Sequence, residues 1–481
     1  MARGPRLRQA RRVPPATTTA DRATAAAPLD DTAVVVGGSL AGLVAARVLA
    51  DRFRRVLVVE RDAFPAAPGS RKGVPQGRHV HVLLKAGEQV LERRFPGILD
   101  ELGRRGATRV DLAAENRWYH YGGWKVRFPS GITYSCQSRP LLEWAVLERV
   151  RALANVTLLE GRSAAGLSMA RGARRVRGLR LAAADGAAPE DVAAELVVDA
   201  SGRGSRMPAW LAEHGLPAPA ETTVAVDVGY ASRPYRRPAG ARHDWLSLLV
   251  YPTPPARNLG VVVPIEDDAW MVTLVGWFGE HPGGDEEGFR DFCRRLPSPE
   301  LWEAIRDAEP LGPIAVHKFP SNRRRHYERL AMPEGVVVLG DALCSFNPIY
   351  GQGMTTAALA ADTLGDVLAA ERAPLAAAPG LARRCQRALA RVIDMPWLLT
   401  TTEDLRSPAA AGTRPLWVPL VNWYTARLHA QSRTDPDVFR RFLRVMHLLD
   451  PPTALFRPPA LARILLGGLV PTKGAVRWAS G

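Results

Sequence analysis

The chain has 481 residues, 47% of them hydrophobic and 23% charged, with a formal net charge of +16. That length calls for two or three structural units and that composition for a proper core, which excludes a fibrous or wholly disordered chain. No run of about 18 uncharged apolar residues appears, so no transmembrane helix is expected; four dispersed cysteines without a CxxC pair argue against a disulfide framework or a metal site and for reduced thiols in the cytoplasm.

Residues 1–30 read as a disordered tail. The first 28 hold six arginines against Asp21 and show no apolar period. No apolar stretch follows Arg11–Arg12, so an export signal is not expected. The remaining positive surplus is scattered, with no stacking motif or basic helix, so no nucleic-acid partner is expected.

Order begins near Asp31. Residues 33–36 are a β-branched run, 40–52 carry apolar positions at helical spacing, and 56–59 are a second short strand. This is one βαβ unit. A Pro/Gly/Arg loop follows over 64–80 and a helix is predicted over 81–103. Residues 116–135 alternate with aromatics, as antiparallel strands do. A helix is predicted over 139–154 and strands over 156–159 and 196–199. From 222 to 318 apolar runs alternate with turn signals, and 259–265 with 270–277 reads as a hairpin. A buried strand over 336–339 precedes a glycine-rich helix start near 351. The tail is helical with Pro interruptions.

The predicted fold class is therefore α/β, a Rossmann-type domain in two parts, 31–221 and 319–375. A mostly antiparallel sheet domain for substrate, 222–318, is inserted between them, and 376–481 forms a helical C-terminal region.

Two segments carry chemistry. Gly37-Gly38-Ser39-Leu40-Ala41-Gly42 sits between strand and helix, where a tight turn and a helix N-terminus suit a pyrophosphate. Ser39 stands where the GxGxxG pattern has its second glycine, a departure from the fingerprint. Glu60 ends the second strand, where a carboxylate accepts from ribose hydroxyls and repels a 2′-phosphate. Arg61 and, from the following loop, Arg71 join the candidates for cofactor binding, as a guanidinium suits phosphate; a solvated basic loop is the alternative for Arg71 and Arg78. In the second segment Asp341 ends another buried strand and precedes Asn347-Pro348-Ile349-Tyr350-Gly351-Gln352-Gly353-Met354. Its carboxylate is placed to accept from a ribityl hydroxyl, and Gly351 to Met354 bring backbone N–H groups to a helix start, where they stabilise negative charge on a reduced flavin.

Together these segments resemble the flavoprotein monooxygenases of the para-hydroxybenzoate hydroxylase type, over roughly residues 31–375. The resemblance implies FAD as cofactor, molecular oxygen as co-substrate and a flavin C4a-hydroperoxide as oxidant. It places Gly37, Ser39, Leu40, Ala41, Gly42 and Glu60 at the ADP half, Arg139 and Asp341 beside the flavin, and Gly351 to Met354 against the isoalloxazine. Four strings are similar to bacterial epoxidases acting on polyene precursors of polyether antibiotics, of the lasalocid and monensin type: Arg71-Lys72-Gly73-Val74-Pro75-Gln76-Gly77-Arg78-His79-Val80-His81, Asp199-Ala200-Ser201-Gly202-Arg203-Gly204-Ser205, Pro264-Ile265-Glu266 and Asn347-Pro348-Ile349-Tyr350-Gly351. Ser201-Gly202 stands where the hydroxylases carry Asp-Gly, which leaves electron supply open between NAD(P)H and a partner flavin reductase.

No general-base constellation is legible, and an alkene needs none. The expected reaction is epoxidation of a polyketide or terpenoid precursor, with an apolar, long-chain polyene as the substrate. Aromatic hydroxylation and a geranylgeranyl-reductase-like alkene reduction are the alternatives; a halogenase is set aside because the WxWxIP signature is absent. Candidate substrate walls are Trp118, Tyr121, Trp124 and Phe128, then Trp245, Trp270 and Trp277, then Pro348, Ile349 and Tyr350. His79 and His81 lack a third ligand, so no metal is expected. Apolar residues over 441–466 are expected to pack against the FAD domain, with contact to a membrane or a carrier-bound substrate as the alternative.

Overall fold

The computed structural model describes residues 30–183, 188–238, 240 and 243–467. The tail expected over 1–30 therefore lies outside the described residues, apart from Asp30. Strand β1 (Asp30–Val36), helix α1 (Leu40–Ala50) and strand β2 (Phe53–Val59) form the first βαβ unit. Their Val-rich strands are buried on both faces, as central parallel strands must be.

The single helix expected over 81–103 is two, α2 (Lys85–Arg94) and α3 (Ile98–Arg104). Pro96 and Gly97, the latter at φ +78°, break it. The aromatic stretch over 116–135 holds two strands in different sheets. Strand β3 (Thr108–Asp111) pairs antiparallel with β5 (Thr133–Cys136), whereas β4 (Asn116–Tyr119) joins the edge of the large sheet parallel to its neighbour, not antiparallel as expected. Helix α4 (Arg139–Arg151) leads to β6 (Val156–Leu159). A three-stranded antiparallel flap follows, β7 (Ala164–Ser168), β8 (Gly178–Leu181) and β9 (Glu190–Ala193). Then come β10 (Leu196–Asp199) and α5 (Met207–Glu213).

The inserted unit contains β11 (Glu221–Arg236), β12 (Ser247–Val250), β13 (Asn258–Ile265), β14 (Ala269–Trp277), α6 (Glu286–Arg294), α7 (Glu300–Ile305) and β15 (Ala315–Arg325). Strands β13 and β14 form the expected hairpin. The division placed at 318/319 falls inside β15, which stays paired with β11 until Arg325. The chain returns through β16 (Val336–Val338) and β17 (Cys344–Ser345) to α8 (Gln352–Ala370). Four further helices close it: α9 (Leu381–Asp404), which runs through Pro396, α10 (Val418–Gln431), α11 (Pro436–Met446) and α12 (Pro458–Leu465).

Register positions the site. The first sheet has order β16-β10-β1-β2-β6, all parallel. Val59 pairs with Val36, Val36 with Asp199, and Asp199 with Val338, so four strands end in one row. The residues after each, Glu60, Gly37, Ala200 and the Gly340–Asp341 turn, open on the same edge, where ligands bind in open α/β sheets. The second sheet, β17-β15-β11-β14-β13-β12-β4, stands beside that edge. Helix α11 packs Phe439 and Leu443 against Trp118, Phe128 and Val263, and Val445 and Ile464 pack with α10, so the apolar residues of 441–466 cover the second sheet and the C-terminal helices rather than the FAD domain as expected. No described helix is long and apolar enough to cross a membrane.

Candidate functional site

The turn after β1 demands glycine twice. Gly37 sits at φ +103°, and a Cβ there would lie 2.6 Å from the Ala200 carbonyl oxygen. A Cβ on Gly42 would lie 1.8 Å from the Gly37 carbonyl oxygen, so only glycine lets α1 approach the strand end. Glu60 reaches back over this turn. Its Oε2 accepts from the Gly38 N–H at 2.8 Å and pairs with Arg71 at 3.2 Å. Ser39 occupies the N-cap of α1 but does not cap it; its hydroxyl donates to Glu143 instead.

Glu143 is a site residue that the sequence reading missed. It lies one helical turn after Arg139 on α4, and Arg139 donates to it through Nε at 3.1 Å and Nη2 at 2.8 Å. Arg71 joins them at 3.3 Å and also donates to the Gly38 carbonyl at 3.0 Å. Burial alone would raise the Glu143 carboxyl, but Arg139, the Ser39 hydroxyl and Arg71 outweigh it and hold it at about 2. The arginines are thereby held rigid beside the turn. A second partner fixes Arg139: its Nη1 donates to His81 Nε2 at 2.9 Å, while His81 Nδ1 faces the His79 carbonyl at 3.0 Å. Burial, then the Arg139 charge, pushes His81 down to about 3, so its ring is neutral. Arg-x-x-x-Glu at a helix start was the only sequence signal for this clamp.

At the other motif, Gly340 takes φ +63° and turns Asp341 out from the strand end. The Asp341 carboxylate is open to a cavity, and among the described residues nothing hydrogen-bonds to it. Burial among protein atoms pushes its pKa up, while Arg139, Arg203 and Arg323 pull it down. Gly351, at φ +65°, starts α8, and no side chain caps that helix. Its first-turn N–H groups stay free beside the cavity.

One continuous cavity of about 1090 Å³ joins the two ends. Gly37, Ser39, Leu40, Ala41, Glu60, Arg61, Arg139, Asp341, Gly351, Gln352, Gly353 and Met354 line it. Gly42 and Arg71 do not; they shape and clamp the turn. The arrangement fits FAD: a glycine turn and carboxylate for the ADP half, paired arginines for phosphate, an unpartnered carboxylate for the ribityl chain and an uncapped helix start for the ring.

Beyond the flavin segment the cavity continues along Trp118, Trp277, Pro348, Ile349 and Tyr350. Tyr121, Trp124, Trp245, Phe128 and Trp270 stand outside its wall. Tyr121 stacks behind His429 at 4.8 Å, Trp124 packs on Tyr119 with Arg117 over its ring, and Trp245 is stacked between His243 and Trp270. Phe128 packs on Phe439. Only Trp270 of these sits on a regular strand, where alternation turns it away from the cavity; Tyr121, Trp124, Phe128 and Trp245 lie in the connections around β4, β5 and β12, and residue type alone did not reveal the side.

Two polar groups on this wall were not anticipated. Asp404, at the end of α9, accepts from Asn322 at 2.6 Å, Asn347 at 2.9 Å and the Tyr350 hydroxyl at 2.8 Å. Burial, only partly offset by these donors, raises its carboxyl to about 7. Further out, His120 and His429 face the cavity, their rings 4.4 Å apart, with Lys125 behind them donating to the His429 carbonyl at 2.7 Å. Burial, then Arg433, lowers that lysine to about 7.

Residues 33–223 match the family described as FAD dependent oxidoreductase. Protein Rv3254 of Mycobacterium tuberculosis is 36% identical over 443 residues, spanning 87% of this chain and 90% of its own. At the level of fold, p-nitrophenol 4-monooxygenase PnpA from Pseudomonas putida DLL-E4 superposes with a TM-score of 0.62 at 17% identity, covering 88% of this chain and 100% of its own. A flavoprotein/dehydrogenase from Cytophaga hutchinsonii gives 0.60 at 16%, covering 86% and 92%. The flavin-dependent halogenase CmlS gives 0.60 at 17%, covering 88% and 78%. The chain belongs to the family of Rv3254 and is an FAD-dependent oxidoreductase with the fold of the flavin monooxygenases and halogenases.

Proposed function

We propose that this chain is a monooxygenase that epoxidises an alkene of a long, apolar polyketide or terpenoid precursor, using FAD, molecular oxygen, and electrons from NAD(P)H or a separate flavin reductase. Bound reduced flavin supplies the activated oxygen; the protein's task is to hold substrate over it and keep water away. The observation that carries the reading is the length of the cavity, which runs past Asp341 and Tyr350 to Phe442, Val445 and Leu455. A single aromatic ring needs no such extension. Three apolar residues in that far section supply dispersion contact but no fixed register, as a flexible chain requires. Four buried free cysteines suit a reducing cytoplasm.

Asp404 favours a second reading, aromatic hydroxylation, because a carboxylate titrating near 7 behind Tyr350 could accept a phenolic proton. The test incubates FAD-loaded, reduced enzyme with ¹⁸O₂ and either a polyene or a phenol. Epoxide carrying one ¹⁸O atom supports epoxidation. Labelled diphenol alone moves the assignment to the second reading, and saturated product without oxygen uptake defeats both.

A further inference from the structure

We infer that the outer face of α10, with the segment before it, docks this chain on an anionic lipid surface beside the cavity. The inference concerns binding and stands apart from which oxygen transfer occurs. Leu416 is 99% exposed, Leu420 66%, Trp423 51% and Trp417 43%. Leu420 and Trp423, at i and i+3, share the outward face of α10, and Leu416 and Trp417 in the turn before it extend that exposed apolar surface into a stripe. Soluble surfaces seldom leave such a stripe uncovered.

The stripe is broadened by its neighbours. Phe456, itself exposed, stacks on Tyr424 at 4.8 Å. Arg427 lies over the Trp423 ring and donates to the Leu465 carbonyl, next to the exposed Leu466.

The inward face of the same helix belongs to the cavity: Thr425, Leu428 and His429 line it. On α9 the same switch occurs between consecutive residues, with Leu398 exposed and Leu399 and Thr400 on the cavity wall. One layer of helix therefore separates the apolar stripe from the substrate space.

Charge selects the occupant. Residues 405–467 hold nine arginines against three aspartates; Arg406, Arg440, Arg444 and Arg463 are ion-paired, while Arg414, Arg427 and Arg457, next to the stripe or to Phe456, are exposed. A basic rim around Trp and Leu suits the headgroup region of an anionic bilayer, where each arginine finds a phosphate and each indole sits at the interface. A second copy of this face would set arginine against arginine instead. Since no described helix can span a bilayer, the contact is interfacial.

The test is cosedimentation of the full-length holoprotein with vesicles of phosphatidylglycerol and phosphatidylcholine, against phosphatidylcholine alone, at low and high salt. Salt-sensitive binding to the anionic vesicles is expected. It should fall at least about tenfold, about 1.4 kcal/mol, in Leu416→Ser/Leu420→Ser/Trp423→Ser that retains normal flavin content. A second variant, Arg414→Gln/Arg427→Gln, should lose the anionic preference. Binding undiminished in the triple variant would assign the attraction to the arginines of residues 1–28 and overturn the proposal. So would failure of the intact chain to bind while a chain ending at Gly467 binds. A concentration-dependent dimer by light scattering, abolished by the triple variant and without vesicle binding, would replace the lipid with a second copy.

Discussion

Tyr350 donates its hydroxyl to Asp404 Oδ1 at 2.8 Å, tying the segment before α8 to the end of α9. The same carboxylate takes Asn347 and Asn322, so the flavin-side turn, the large sheet and the C-terminal helices meet at one buried acid. Among the described residues no cation pairs with it, and burial lifts it to about 7. Below about pH 4 the group is protonated in both folded and unfolded chains and contributes no pH dependence. As pH rises from about 4 to 7 the unfolded chain loses this proton while the folded chain keeps it, so the folded state binds more protons and stability falls. Above 7 the loss is complete. Asp404→Asn should abolish this slope. The check is the melting temperature of wild type minus variant across pH 4–8; a flat difference rejects the assignment. The difference is needed because His81, His447 and His79, buried and held near 3, 3 and 4, act oppositely and remove stability as pH falls below about 6.5.

The two cofactor carboxylates should respond differently to loss of charge. Glu60 is bonded within the protein to Gly38 and Arg71, so Glu60→Gln leaves a buried guanidinium without one of its partners and weakens both the apo fold and FAD retention. Asp341 has no such partner among the described residues and the protein around the cavity pushes its pKa up, which disfavours the charged form, so Asp341→Asn should leave apo stability unchanged or raised. Its FAD dissociation constant should still rise about 10- to 100-fold, the worth of one charge-assisted hydrogen bond. Thermal unfolding of apoprotein and fluorescence titration with FAD separate the two cases. Equal stability losses in both variants would contradict the geometry.

What the sequence disclosed follows from locality. The β1–α1–β2 unit and the Asp341 segment each write their chemistry into a short string, and parallel register makes two distant strings converge on one sheet edge. Glu143 and Asp404 are different. Each acts on residues that lie close only after α4 packs beside α1, or after α9 returns to β15 and the Asn347 loop. The sheet aromatics failed for a third reason. Trp118 and Trp124 are equally bulky, but only the first faces the cavity, because a bend through Tyr121 and Gly122, both at positive φ, separates them.

Gly42 offers a test of the turn itself. A methyl there would lie 1.8 Å from the Gly37 carbonyl, against backbone that Gly37 and β1 hold in place. Gly42→Ala should cost about 2–4 kcal/mol or prevent folding, with lost flavin. Ser39→Gly, which removes a hydroxyl from the Glu143–Arg139 network but adds no atom, should cost only about 1 kcal/mol. Thermal unfolding and flavin absorbance of both proteins decide whether close approach or hydrogen bonding dominates here. A harmless Gly42→Ala would mean that α1 stands further from β1 than this geometry has it.

The far section of the cavity gives the substrate proposal its sharpest exposure. Met446 lines that section from the end of α11, well away from Gly37, Glu60 and Asp341 in the fold, and is only partly buried, so a larger side chain can be accommodated by displacing cavity space rather than core. Met446→Trp should fill the far end and leave flavin content normal. If a long chain threads the whole cavity, kcat/KM for a long polyene should drop at least about tenfold, about 1.4 kcal/mol of transition-state binding, while a short alkene is turned over within about threefold of wild type. Equal loss for both lengths would mean that the tryptophan disturbs the flavin side. No loss for either would mean that substrate never reaches α11, and the argument from cavity length for a long precursor would fall.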